Sequence, residues 1–107
     1  MNWRKNILVK YKVKLLKVAY MDIDNIYRYI ANEKLDPENA KAQVDRIKEA
    51  ILGLEFFPYA HQDRLIGRYS GKDYKQLMID NYVAIFRIDE TEKTVLVVTV
   101  QYLGRNI

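Results

Sequence analysis

Asp73-Tyr-Lys-Gln-Leu-Met-Ile-Asp-Asn-Tyr-Val-Ala-Ile-Phe-Arg-Ile-Asp89 and, after a short polar turn, Thr94-Val-Leu-Val-Val-Thr-Val-Gln-Tyr-Leu-Gly-Arg-Asn-Ile107 decide how this chain folds. Rich in β-branched and aromatic residues, they predict strands at about 74–79, 82–88 and 94–102. Asp80-Asn81 and residues 89–93 are short enough to be hairpin loops, which makes these strands antiparallel neighbours. Strands this apolar need cover on at least one face, and the upstream sequence offers it.

Residues 8–16 alternate, with Val9, Tyr11, Val13 and Leu15 against Lys10, Lys12 and Lys14. That is the period of a half-buried strand. Ala19, Ile23, Ile26, Tyr27 and Ile30 then mark one stripe of an amphipathic helix. Asp36-Pro37-Glu38 opens a second helix: an Asp N-cap, Pro at the first helical position, and a carboxylate favoured by the helix dipole. Its apolar seam, Ala40, Val44, Ile47, Ile51 and Leu54, predicts packing along the first helix. Pro58 ends it, because the residue before a proline is disfavoured in the α region. Gly67 and Gly71 punctuate a mixed stretch with a further short strand near Leu65. The expected fold is α+β, a helical hairpin on one face of a small antiparallel sheet, in the order β-α-α-β-β-β. The opposite sheet face is then expected to be open.

With 107 residues, a single domain spanning 1–107 is expected. Half the residues are hydrophobic and 30% are charged, a globular rather than a disordered composition. The absence of cysteine excludes a disulfide scaffold, a thiolate nucleophile and a zinc–thiolate site. The lysines at 10, 12, 14 and 17 leave no apolar run near the start that resembles a signal peptide or membrane span. A soluble, cytoplasmic protein with no membrane contact is expected. The net charge of +4 is either a solubility surplus or the mark of an anionic partner.

Signatures of chemistry are scarce. His61 is the one histidine, without a fixed partner in sequence, and reads as a loop residue. No phosphate-binding glycine loop, HExxH or GxSxG pattern occurs. Asp22 and Asp24 diverge on a helix, so neither a metal nor another cofactor is expected. Most of the nine tyrosines, Tyr11, Tyr27 and Tyr82 among them, read as core or core-edge residues. Tyr102 ends the last strand beside Leu-Gly-Arg-Asn, where it either caps the sheet or stacks a base while arginines hold phosphates.

The element order, the hairpin opened by Asp36-Pro37, the block from Tyr74-Lys-Gln-Leu to Asn-Tyr-Val-Ala-Ile-Phe-Arg-Ile-Asp, and the ending Gln-Tyr-Leu-Gly-Arg-Asn-Ile together resemble the RelE/ParE superfamily. Its members are the toxins of bacterial type II toxin–antitoxin modules. The resemblance implies growth inhibition, plasmid stabilisation and an acidic antitoxin partner that forms a hetero-oligomer with the toxin. It also implies one of two targets. RelE-like members cleave mRNA on the ribosome through basic residues on the central strands and an Arg, His or Tyr near the C-terminus. ParE-like members poison DNA gyrase. Here the RelE pattern is incomplete: Lys75 is followed in alternation by Leu77, Val83 stands where an arginine is found, and the tail has no histidine. Metal-free RNA cleavage needs a base, an acid and a cation for the phosphorane charge. The residues left to supply them are Lys75, Arg87, Tyr102 and Arg105. The ParE-like, non-nucleolytic reading is therefore favoured, with an mRNA endoribonuclease as the alternative. On either reading Lys75, Arg87, Tyr102 and Arg105 are expected on the sheet face away from the helices. Arg64, Arg68 and Lys72 are expected beside them as target or nucleic-acid contacts.

Overall fold

The computed structural model describes residues 9–104. Strand β1 (Lys12–Leu15) leads into helix α1 (Lys17–Arg28), which ends in one wide π-helical turn, Tyr29–Glu33. Helix α2 (Pro37–Leu52) returns alongside it, followed by two short 3₁₀ turns, Gly53–Glu55 and Pro58–Ala60. Strands β2 (Asp63–Arg64), β3 (Gly71–Ile79), β4 (Tyr82–Asp89) and β5 (Thr94–Tyr102) complete a sheet of order β1-β5-β4-β3-β2. The α+β fold, a helical hairpin packed on a small sheet, is the expected one, and the short strand anticipated near Leu65 is β2. The sheet is mixed rather than wholly antiparallel, because β1 pairs with β5 in parallel, Lys12 with Thr94 through Leu15 with Val97. A strand joined to the sheet through two helices is free of the constraint that tight hairpins place on β3, β4 and β5.

The local signals act as chemistry requires. Asp36 accepts the Asn39 N–H at 3.1 Å and so caps α2 one residue before Pro37. Every residue of the predicted seam, Ala40, Val44, Ile47, Ile51 and Leu54, is buried. Ala19 and Ile23 of α1 and Ile30 of the π-helical turn are buried, but Tyr27 is 39% exposed and is not a core residue. At 100° per residue Tyr27 lies about 80° from Ala19, on the flank of the stripe rather than its axis. From the sheet, Ile79, Tyr82, Ala84, Phe86, Val95, Val97 and Val100 meet the helices in the main core.

The second sheet face, expected to be open, is partly covered. It carries its own apolar cluster, Val83, Ile85 and Val98, with Leu16, Tyr69 and Tyr74 packed against it. Alternation demands this, since β4 is apolar at every position from Tyr82 to Phe86. A register shift between Ile85 and Phe86 leaves Val98 as an extra residue in β5.

Three carboxylates tie distant segments together. Asp22 on α1 accepts hydrogen bonds from Thr99 Oγ1 at 2.5 Å and the Val100 N–H at 2.9 Å. Asp80 in the β3–β4 turn accepts from Arg46 Nε and Gln43 Nε2 on α2. Glu90 Oε2 accepts the hydroxyls of Tyr11 and Tyr59, while Lys93 pairs with its other oxygen.

Candidate functional site

Strand pairing fixes which side chains share a face. β3 and β4 pair from Ile79–Tyr82 at the turn through Leu77–Ala84 to Lys75–Phe86. Phe86 belongs to the main core, so Lys75 points to the helix side of the sheet and not away from it as expected. There it is held fast: Nζ donates to the His61 carbonyl at 3.1 Å and to Asp63 Oδ1 at 2.9 Å, with the side chain 18% exposed. Leu77 and Ile79 stand in phase with Lys75, which is the alternation that dictates this orientation.

Arg87 lies on the second face. It stands opposite Leu96 of β5, which stands opposite Lys14 of β1, so the three residues form one rung across three strands. Arg87 is exposed and makes no ion pair among the described residues. Acids near it in sequence are engaged elsewhere: Asp80 with Arg46, Glu90 with Lys93, and Asp89 Oδ1 as acceptor of the Glu92 N–H. Lys12, two residues from Lys14, shares the face and is also exposed. Lys12 and Lys14 are basic contributors that the sequence reading passed over. Their alternation with Tyr11, Val13 and Leu15 was the available signal.

Tyr102 pairs with Tyr82, whose ring centroid lies 5.4 Å away, and therefore sits on the helix side. Along β4 the Tyr82 and Phe86 positions are four residues apart, about 13 Å at strand rise. Lys75 and Arg87 thus start from opposite faces and meet only where their strands stop pairing, while Tyr102 lies well away from both. Arg64 reaches Gln76 Oε1 at 3.0 Å and the Ile66 carbonyl at 3.2 Å, at the β2 edge. Arg68 lies over the Tyr69 ring, which meets Tyr74 edge-on at 5.7 Å. Arg105 and the side chain of Lys72 lie outside the described residues.

Where β3 and β4 stop pairing beyond Lys75–Phe86, a depression of about 590 Å³ opens, lined by Tyr59, Asp73, Tyr74, Lys75, Arg87 and Ile88. Within it only Arg87 offers an unpaired cation among the described residues. His61 packs edge-on against Phe86 at 5.8 Å, and burial, with Lys75 as a lesser cause, holds its pKa below the usual histidine value. Among the described residues no group of three or more His, Asp or Glu side chains is arranged to hold a metal ion. Among the described residues no helix is long and apolar enough to cross a membrane. What remains is a basic, partly aromatic surface at one end of the second face: Lys12, Lys14 and Arg87, with Tyr74, Tyr69 and Arg68 beside them. It is suited to holding an anionic or protein partner.

Comparison with known proteins adds the context. The family described as ParE toxin of type II toxin–antitoxin system, parDE, matches residues 13–106. No curated protein matches the chain. Among solved structures, the chromosomal ParDE toxin–antitoxin system from P. aeruginosa is similar with a TM-score of 0.71 at 20% identity, covering 89% of this chain and 98% of that one. The RelBE2 toxin–antitoxin complex from Mycobacterium tuberculosis follows at a TM-score of 0.58 and 21% identity, covering 89% and 93%. The archaeal RelE–RelB complex from Pyrococcus horikoshii OT3 gives 0.58 at 18% identity, covering 91% and 99%. At these identities the solved structures establish a shared fold.

Proposed function

Because the chain belongs to the ParE toxin family of type II toxin–antitoxin systems, we propose that it inhibits growth by binding DNA gyrase in the cytoplasm, and that a cognate acidic antitoxin neutralises it. The observation that carries the binding mode is the dispersal of the groups that acid–base chemistry would need. Of the two cations lining the depression, Lys75 is locked to His61 and Asp63, which leaves Arg87 alone there, and Tyr102 stands four residues farther along the sheet. Cleavage of RNA without a metal needs such groups within hydrogen-bond reach of one phosphate. Inhibition by binding needs only a complementary surface, and the exposed Lys12, Lys14 and Arg87 supply one. The same basic surface suits an acidic antitoxin, whose flexible segment would fold as it binds.

The test is a DNA supercoiling assay with purified gyrase, run beside a ribosome-programmed mRNA cleavage assay. The expected result is loss of supercoiling with accumulation of cleaved DNA, and intact mRNA. Arg87→Glu is expected to weaken inhibition at least tenfold without lowering the melting temperature, since the side chain is exposed. Cleaved mRNA with undisturbed gyrase would overturn the reading in favour of a RelE-like ribonuclease.

A further inference from the structure

A second concavity lies away from the basic surface, between the helical hairpin and the β3–β4 turn. It measures about 820 Å³ and receives Tyr29 from the π-helical turn, Tyr82 from β4 and Tyr102 from β5. Asn25, Asn39 and Asn81 line it from α1, α2 and the β3–β4 turn. Its volume falls in the range of small-molecule sites. Six elements thus bring aromatic rings and carboxamides to one concavity.

None of these six side chains has a side-chain hydrogen bond among the described residues, whereas their neighbour Gln43 donates to Asp80 and accepts from Arg46. Tyr82 is only 8% exposed and lines the cavity. Tyr102, 59% exposed, presents a free ring face beside Tyr82. A wholly apolar occupant would leave the carboxamides and hydroxyls unsatisfied, at a cost for each. A planar ring system with donors and acceptors along its edges would stack on Tyr102 and pair with the carboxamides. Carboxamides read base edges in this way, and tyrosines stack bases. At the rim Lys34 lies 5.6 Å from the centre of the Tyr29 ring, without an ion pair among the described residues. It is placed to meet a phosphate. The turn carrying it is built rather than loose: the Lys34 N–H reaches back five residues to the Tyr29 carbonyl, and Leu35 adopts a left-handed φ of 55°. π-turns and strained residues of this kind collect at functional sites.

We propose that this cavity is a nucleobase-binding site, taking a purine base stacked on Tyr102 with its phosphate toward Lys34. The base comes either from a free mononucleotide or from an unstacked position of a single-stranded nucleic acid. The inference is independent of gyrase as target. The experiment titrates the full-length chain with adenosine, the monophosphates of adenosine, guanosine and cytidine, and a short single-stranded oligonucleotide. Tyrosine-ring NMR resonances and calorimetry report binding. Saturable binding of a purine monophosphate with shifts at Tyr29, Tyr82 and Tyr102 is expected. Tyr102→Leu, at an exposed position, should weaken it about tenfold or more with the fold unchanged, and Lys34→Met should weaken the monophosphate but not the nucleoside. Tighter binding of the oligonucleotide than of the monophosphate assigns the site to single-stranded nucleic acid, and the reverse to a free nucleotide. No shift at these rings with any probe at 5-fold millimolar excess, or binding that Tyr102→Leu leaves intact, overturns the proposal.

Discussion

Replacing Lys75 with methionine separates a lysine that tethers from one that catalyses. The unbranched stem is retained, so packing beneath the segment around His61 is little changed. What is lost is one hydrogen bond to the His61 carbonyl and one ion pair to Asp63. A hydrogen bond of the first kind contributes about 0.5–1.5 kcal/mol net. The ion pair is discounted, because the Asp63 side chain is 50% exposed and rehydrates when its partner leaves, which leaves about 0.2–1 kcal/mol. Together Lys75→Met should cost about 1–2 kcal/mol, or roughly 4–16 °C in melting temperature for a domain of this size. Urea denaturation followed by circular dichroism measures the loss. Inhibition of gyrase, assayed at a temperature where both proteins are folded, should be unchanged per folded molecule. A lysine that stabilises a phosphorane would behave in the opposite way: stability would hold while activity fell by about 10²–10³, by analogy with a lost oxyanion donor. An unchanged urea midpoint accompanied by lost toxicity would refute the assignment of Lys75 as a structural tether.

Ile47 is fully buried between the two helices and the sheet, and Ile47→Ala should cost about 2–5 kcal/mol; a loss below 1 kcal/mol in urea would mean that the helical seam is not packed as described. Glu90 responds to acid. Lys93 and the hydroxyls of Tyr59 and Tyr11 hold its carboxyl at about 2, against 4.5 for an ordinary glutamate. Since the folded value is the lower one, its stabilisation is complete above about pH 4.5 and is lost as pH falls toward 2. The difference in melting temperature between the wild type and Glu90→Gln should therefore shrink from pH 6 to pH 2, and a difference constant over that interval would contradict the clasp.

The strands that carry the site were readable because the turn is so short. With Asp80-Asn81 as a two-residue loop, partners lie at equal distances from it: Ile79 with Tyr82, Leu77 with Ala84, Lys75 with Phe86. The same count sets Lys75 among core residues and Arg87 in phase with Val83 and Ile85. The opposite orientation of these two cations was therefore legible, and taking both as outward-facing neglected the parity. Other features lay beyond local reading. Parallel pairing of β1 with β5 joins residues about eighty positions apart, and no turn between them fixes direction or register. The extra residue Val98 follows from how two faces pack at once. The cavity of Tyr29, Tyr82 and Tyr102 needs the π-helical turn, for which the sequence carries no marker as plain as the proline and aspartate that begin α2.

Strand β1 ends at Leu15, opposite Val97, so it shields only the first half of β5. The second half would present bare amide groups along its rim, the kind of margin onto which another chain can crystallise as one more strand. Asp22 occupies that margin, with a single oxygen engaged by both Thr99 and Val100. An intruding strand would have to evict an anion already holding two donors and offer carbonyl groups in its stead. The outer rim of β1 is protected by a different device, the charged lysines at 12 and 14. On this flank Asp22 and the two lysines oppose the addition of a further strand.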